Sequence, residues 1–573
     1  MSTKKKKRKI KYNRVIILIL ILVAIFTTIF YLGGKYLKKN LTMYVASEVY
    51  QASLYDEAGN FQEKITRGSS IITTSNVITI GDIQYQEIKL ADRTLYINSN
   101  NVVKDIREVV LEKEVFVRTP TTILEDISTG KTVSLAKKGT TLEVVDYDEL
   151  KEDGSVNAYL VKQEDNQGYI FGKYIAFTKD EAIKNYNAET LDPIFAKAKD
   201  LYGGGSAINL DYYPVDKPKF SDNVMPENIY ALYLNNGTNV ISNVDAYINF
   251  AKDTKINAFV IDIKDNQTPG YKSQVMEELS PTNYKYAHNS FEEYKQAIAK
   301  IKDAGFYVIG RITVFKDNYY VEDHPEDAIL TNGTSDPYLH QSAYWPTPYS
   351  RDVWYFNVSL AKEAVKEMGF NEINFDYVRF PDRTQSVEKA GKIDYNNQYQ
   401  EEKAQAIQGF LMYACDQLHQ LNVYVSVDVF GESVNNNYVT AYGQYWPAIS
   451  NIVDVISAMP YPDHFDAGNY NLPTPWTQPY ELMLKWGTDA SKRQSETPTP
   501  AIARTWIQSH NAVKSPYNSY GPTEVKSQIQ GLYEAGLTGG YMTWLSNSNL
   551  DKYETQKEAF KIDYGGANGK NND

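Results

Sequence analysis

Cysteine is all but missing from this chain of 573 residues, Cys415 being the only one. No internal disulfide can form, so a chain of this length must be held by its buried cores. Cys415 lies in the helix-like stretch FLMYACDQLHQL and reads as a small buried apolar residue rather than a catalytic thiol. Metal-binding patterns are missing too. The six histidines show no HExxH or similar spacing and there is no EF-hand loop, so no metal is expected. No GxxxxGK[ST] loop opens a helix and no GxSxG elbow occurs, which argues against nucleotide and serine-hydrolase chemistry; no cofactor is expected. Acidic residues are absent from the first 39 positions, which hold eleven basic ones. With a formal charge of −12 overall and +11 in that segment, the remainder carries −23, a charge that repels nucleic acid.

What is present begins with MSTKKKKRKIKYNR (1–14), followed by an uncharged apolar run from Val15 to Gly34. Roughly 20 such residues span a bilayer as a helix. Basic residues are denser before the run than after it, which predicts a single-pass membrane protein with a cytoplasmic start and extracellular bulk. A cleaved signal peptide is the competing reading, but no small-x-small site follows the run. The basic cluster itself reads as an orientation signal and a contact for anionic lipid.

Hydrophobic content of 42% and charged content of 23% belong to folded protein, and the length suggests about three to four domains. Tyrosine, at 47 against 21 Phe and 7 Trp, suits wettable surfaces that stack on sugars or peptides, and equally a β-rich extracellular fold.

Between Met43 and Thr178 short alternating strands are broken by Gly, Asn and Asp, and the pattern occurs twice. ITRGSSI (Ile65–Ile71) matches LAKKGTTL (Leu135–Leu142), and TLYINSNNVV (Thr94–Val103) matches GYIFGKYIAF (Gly168–Phe177). Two small barrels, 43–105 and 109–178, are predicted. They resemble bacterial SH3-like domains of cell-wall proteins, which implies attachment to wall peptide or glycan; a plain spacer is the alternative. Residues 179–227 have linker composition, with three consecutive glycines and the prolines Pro214, Pro218 and Pro226 beyond a helix-like run, and 565–573 form a polar tail.

From 228 to 564 eight β-branched runs alternate with amphipathic stretches: NIYALYL, NAFVIDIKD, FYVIGRITVF, EINFDYVRF, NVYVSVDVFG, VDVISAMPYP, TPAIARTWIQ and GGYMTWLSN. This alternation predicts a C-terminal (β/α)8 TIM barrel, with helices stopped at Gly305, Gly369 and Gly536.

Polar residues collect at the ends of these runs, where such a barrel keeps its cleft. In EINFDYVRFPD, alternation sends Ile373 and Phe375 to one face and Asn374 and Asp376 to the other. Asp376 and Asp428 end neighbouring runs and are expected to meet at one open rim. Two facing carboxylates can cleave a glycosidic bond, one giving a proton and the other stabilising or attacking the anomeric carbon. Arg311 and Arg379 would hold Asp376 ionised, leaving Asp428 or Glu432 as proton donor. Asp262, Asp265, Arg311, Arg379, Glu432, Tyr461, His464, Trp506, Gln508 and Trp544 are the expected substrate contacts. The plainer reading of any one of these acids is a helix cap or a structural ion pair.

NAFVIDIKD, YVIGRITVFKD, GFNEINFDYVRFPD, SVDVFG, MPYPDHF and TWIQS together resemble the family described as "Putative glycosyl hydrolase domain", found in bacterial envelope proteins. The resemblance implies a TIM barrel that hydrolyses glycosides, here of a cell-wall or extracellular polysaccharide such as a peptidoglycan-type glycan. Thr505 stands where the family pattern has Pro, and the family's aliphatic residue between Met459 and Tyr461 is replaced by Pro460. A barrel that binds glycan or an envelope partner without turnover is the alternative.

Overall fold

The computed structural model describes residues 40–564, except 48–50, 201–202 and 436, together with Ile21 and Val23. The apolar run expected to span a membrane, the basic tail before it and the polar tail after Tyr564 otherwise lie outside the described residues. Among the described residues no helix is long and apolar enough to cross a membrane. The described residues form two compact units, one within 40–117 and 139–179, the other within 118–138 and 180–564.

The N-terminal region is all β. Seven strands between Leu41 and Val103 form one antiparallel sheet and seven between Glu114 and Ala176 a second. Numbered along the chain within each sheet, both run third-second-sixth-fifth-fourth-first-seventh. The repeat in the letters is therefore a repeat of topology. Its matched glycines do the same work: Gly68 donates its N–H to the carbonyl of Val45 at 2.8 Å and Gly139 to that of Val117 at 2.7 Å. Both have φ above +80°, a conformation that side chains with a Cβ resist. In the first sheet Val45, Leu54, Ile71, Ile88 and Ile97 bury one face, each worth roughly 1.5–3 kcal/mol.

The second unit contains the parallel barrel. Its strands are β1 (Ile229–Leu234), β2 (Ala258–Asp265), β3 (Tyr307–Thr313), β4 (Glu372–Asp376), β5 (Tyr424–Phe430), β6 (Val455–Met459), β7 (Ile502–Ala503), β8 (Thr505–Gln508) and β9 (Gly540–Trp544). They lie in the order β7-β6-β5-β4-β3-β2-β1-β9-β8. The seventh stave is broken at Arg504: β7 pairs with β6, and β8 with β9, so chain continuity carries the ring around to near closure. Helices cover the outside. That of Phe291–Asp303 begins at a Ser290/Glu293 capping box, and that of Arg351–Met368 ends at Gly369 with φ +71°. Gly305 and Gly536 are left-handed as well, as the sequence predicts.

Alternation along β4 resolves as expected. Phe375 points outward onto Phe410 of the helix Lys403–His419, their rings 5.3 Å apart, while Asn374 and Asp376 face the interior. Residues 179–227, expected to be a linker, are instead packed. Leu191, Phe195, Leu210 and Tyr212 are buried against Ala404, Val439, Tyr445 and Ala448, and Phe195 stacks on Tyr212 at 3.8 Å. Glycines and prolines there shape a close-fitting strap, because the apolar residues between them have a surface to cover.

Candidate functional site

Arg311 organises the carboxyl end of the barrel. It sits on β3 between acids delivered by β2, β4 and β5, and strand register puts Asp262 beside it. Its guanidinium reaches Asp262 at 2.7 Å, Asp265 at 3.3 Å and Asp376 at 2.5 Å; Asp428 lies 3.9 Å away. A forked planar cation can serve several carboxylates at once, which a lysine could not do. Arg311 also lies 5.4 Å from the ring of Trp544.

Asp376 closes β4 and is followed by Tyr377, whose φ of +52° is unusual for a bulky residue. This turn lets the Tyr377 N–H donate to Oδ1 of Asp376 at 2.5 Å, while Oδ2 accepts from Arg311. Backbone strain of this kind gathers at working sites. One strand over, Oδ1 of Asp428 accepts from the indole of Trp506 at 2.7 Å and from the amide of Asn374 at 3.0 Å. Its Oδ2 is buried and makes no hydrogen bond. The Nε of Arg311 lies 3.2 Å from Oδ2 of Asp376 and 3.9 Å from Oδ2 of Asp428, so those oxygens are no more than about 7 Å apart. Carboxyl groups of glycosidases stand roughly 5–5.5 Å apart for retention and 6.5–9.5 Å for inversion.

These acids differ in their hold on a proton. Burial, then the charge of Asp376, pushes Asp428 well above the usual carboxylate range, against the pull of Arg311. Burial likewise lifts Asp262 to about 6 despite Arg311. Burial acts upward on Asp265 too, but Arg311 and hydrogen bonds from Thr313 and Arg311 prevail, and its carboxyl is lowered. Neighbouring acids are thus pushed apart, as acid–base pairs require.

Several expected residues fall elsewhere. Asp428, expected at an open rim, is only 1% exposed and lies beneath it; Asp376 is 5% exposed. Arg379 does not hold Asp376: it bonds Asp382 at 3.2 Å and stacks over Phe430. Trp506 is buried among Tyr233, Tyr461 and Met542, where it can position Asp428 but cannot stack on a sugar. Gln508 is buried and accepts from the Asp463 N–H, fastening β8 to the loop after β6. Asp262 is buried and takes a hydrogen bond from Tyr233. Glu432 and His464 are exposed and outside the Arg311 cluster, Glu432 receiving the hydroxyls of Tyr438 and Tyr442. Asp265 and Trp544 keep partial exposure, and Tyr461 stacks on Trp544, its phenol raised by burial and then by Asp428 and Asp376. Missed by sequence reasoning were Tyr377, Asn374 as a direct partner of Asp428, and Tyr233; of these only Asn374 carried a signal, its inward position two residues before Asp376.

In the segment after β3, ligand atoms of His324, Glu326 and Asp327 lie within 4.8 Å of one another. Asp327 is already engaged by Ser350 and Tyr320, and His324 by the Leu279 carbonyl.

Fold and mouth together define a (β/α)8 barrel with carboxylates gathered at the carboxyl ends of its strands. The chain belongs to the family described as "Putative glycosyl hydrolase domain", which matches residues 231–550. A hypothetical protein from Ruminiclostridium thermocellum is 32% identical over 35% of this chain and 97% of its own, with a TM-score of 0.29. The PgaB (BpsB) glycoside hydrolase domain from Bordetella bronchiseptica is 12% identical, over 59% of this chain and 100% of that one, with a TM-score of 0.42. A Glycoside Hydrolase Family 20 beta-N-acetylglucosaminidase is 12% identical over 59% and 71%, with a TM-score of 0.36. No curated protein matches the chain.

Proposed function

We propose that the protein is a glycoside hydrolase acting on a cell-wall or extracellular polysaccharide. One observation carries this reading: Arg311 grips Asp376 at 2.5 Å and lies 3.9 Å from Asp428, whose carboxyl burial and the charge of Asp376 drive to keep its proton. In this reading Asp376 faces the anomeric carbon as base or nucleophile, and Asp428 supplies the proton the leaving oxygen needs. Trp544, half-buried beside Arg311, offers a ring face to a sugar.

The apolar run 15–34 and its flanking charges support anchorage in the cell membrane with the barrel outside. SH3-like attachment of the two β repeats to the wall is part of the same proposal, supported by their shared topology.

A second reading, glycan binding without turnover, is favoured by the burial of Asp428, whose proton reaches a glycosidic oxygen only if side chain or substrate moves. The full chain, incubated with a panel of wall and secreted polysaccharides, should release new reducing ends. Retention of glycan with no release would establish the binding module instead.

A further inference from the structure

A cavity of about 1310 Å³ opens beside the mouth and includes none of the acids held by Arg311. Its walls are the segment after β4, the loops after β5 and β6, and part of the helix Pro479–Ser495. Small-molecule sites occupy roughly 300–1,000 Å³. One sugar ring would leave most of this space to water.

The cavity starts where the mouth ends. Phe430 and Met459, the last residues of β5 and β6, line it, two positions beyond Asp428 and two before Tyr461. Two further links join the regions. Arg379 lies 4.4 Å from the ring of Phe430 and 4.9 Å from that of Tyr377, next to Asp376. His464, in the cavity wall, packs edge-on against Tyr461 at 5.1 Å.

The lining chemistry is mixed. Phe465 and Tyr470 meet edge to face at 5.9 Å, and Glu432 is held between two tyrosine hydroxyls. Tyr470 and Asn471 both have left-handed backbone, with φ of +54° and +57°, so the loop presenting that aromatic is set in a strained conformation. Ring faces interleaved with carboxylates and hydroxyls match a carbohydrate, which is apolar on its faces and polar around its edge.

We propose that this groove binds the continuing chain of a linear glycan, holding the sugar units that lie beyond the one at Asp376. The inference rests on the hydrolase reading and extends it from a single bond to an extended polymer. Binding energy gained along the groove would favour long substrates over disaccharides.

The test uses the full chain carrying Asp376→Asn, titrated calorimetrically with β-1,4-linked glucose and N-acetylglucosamine oligomers of two to eight units. In at least one ladder affinity should rise about tenfold or more between two and six units, roughly one decade per 1.4 kcal/mol. Tyr470→Ala, and separately Arg383→Ala, should remove most of that gain. Arg383 lies in the cavity wall with its side chain 83% exposed, so its loss leaves folding intact. Affinity independent of length, or a gain that survives both substitutions, overturns the groove. If the unsubstituted chain still releases reducing ends in that case, only the groove falls. If no ladder binds and no polysaccharide is cleaved, the groove and the hydrolase reading fall together.

Discussion

The indole of Trp506 and the carboxylate of Asp428 are joined by a 2.7 Å hydrogen bond inside the barrel. Trp506 stands on β8 and Asp428 on β5, so the bond crosses the interior rather than following a neighbouring strand. Donation from the indole favours the charged carboxylate and partly offsets the burial that raises it.

Trp506→Phe removes that donor. Asp428 should then hold its proton more tightly, moving the alkaline limb of the pH–activity profile to higher pH while kcat falls about tenfold, the worth of a hydrogen bond to a charged group. Stability should drop by roughly 1–3 kcal/mol through the smaller side chain. A kcat/KM profile measured from pH 4 to 9 checks the direction; an unmoved alkaline limb would remove Asp428 from the role of acid.

Asp262 provides a stability test independent of activity. Its folded carboxyl is raised to about 6, above the ordinary value near 4 of the unfolded chain. Between those values the folded state binds more protons than the unfolded one, so this group's contribution is present at low pH and is lost as pH rises toward 6. The loss amounts to about 3 kcal/mol at most. Asp262→Asn should therefore flatten the fall in unfolding free energy across pH 4 to 6, read from urea titrations. An identical slope in both proteins would show that Asp262 ionises normally.

At the opposite end of the barrel Arg504 pairs with Glu372 at 2.8 Å, both fully buried. Glu372→Gln leaves the guanidinium without its counter-charge and should destabilise by about 3–5 kcal/mol. Activity per folded molecule should not change, because Glu372 opens β4 whereas Asp376 ends it. Thermal unfolding and kcat/KM measured together separate the two effects.

Much of this architecture was legible in the letters. Eight runs, three glycine stops and the neighbouring positions of Asp376 and Asp428 all follow from local periodicity, which reports the face a residue takes. Depth is not local. Trp506, Gln508 and Asp428 point inward as expected, yet whether an inward residue reaches the mouth or stays below it depends on strand tilt and on its neighbours' bulk. Arg311 likewise shows only as one cation on one strand, and its service to four acids arises when the ring brings β2 to β5 together. Residues 179–227 misled for a similar reason: Gly and Pro mark irregular backbone, and the surface that Leu191 and Phe195 cover lies more than 200 residues further on.

The most direct measurement is release of reducing ends by the full chain and by its Asp376→Asn and Asp428→Asn variants, with glycan binding and thermal unfolding recorded on the same samples. Loss of release by a factor of about 1,000 or more in both variants, with binding and folding retained, is the expected result. Release at an unchanged rate in both would contradict the paired-carboxylate account.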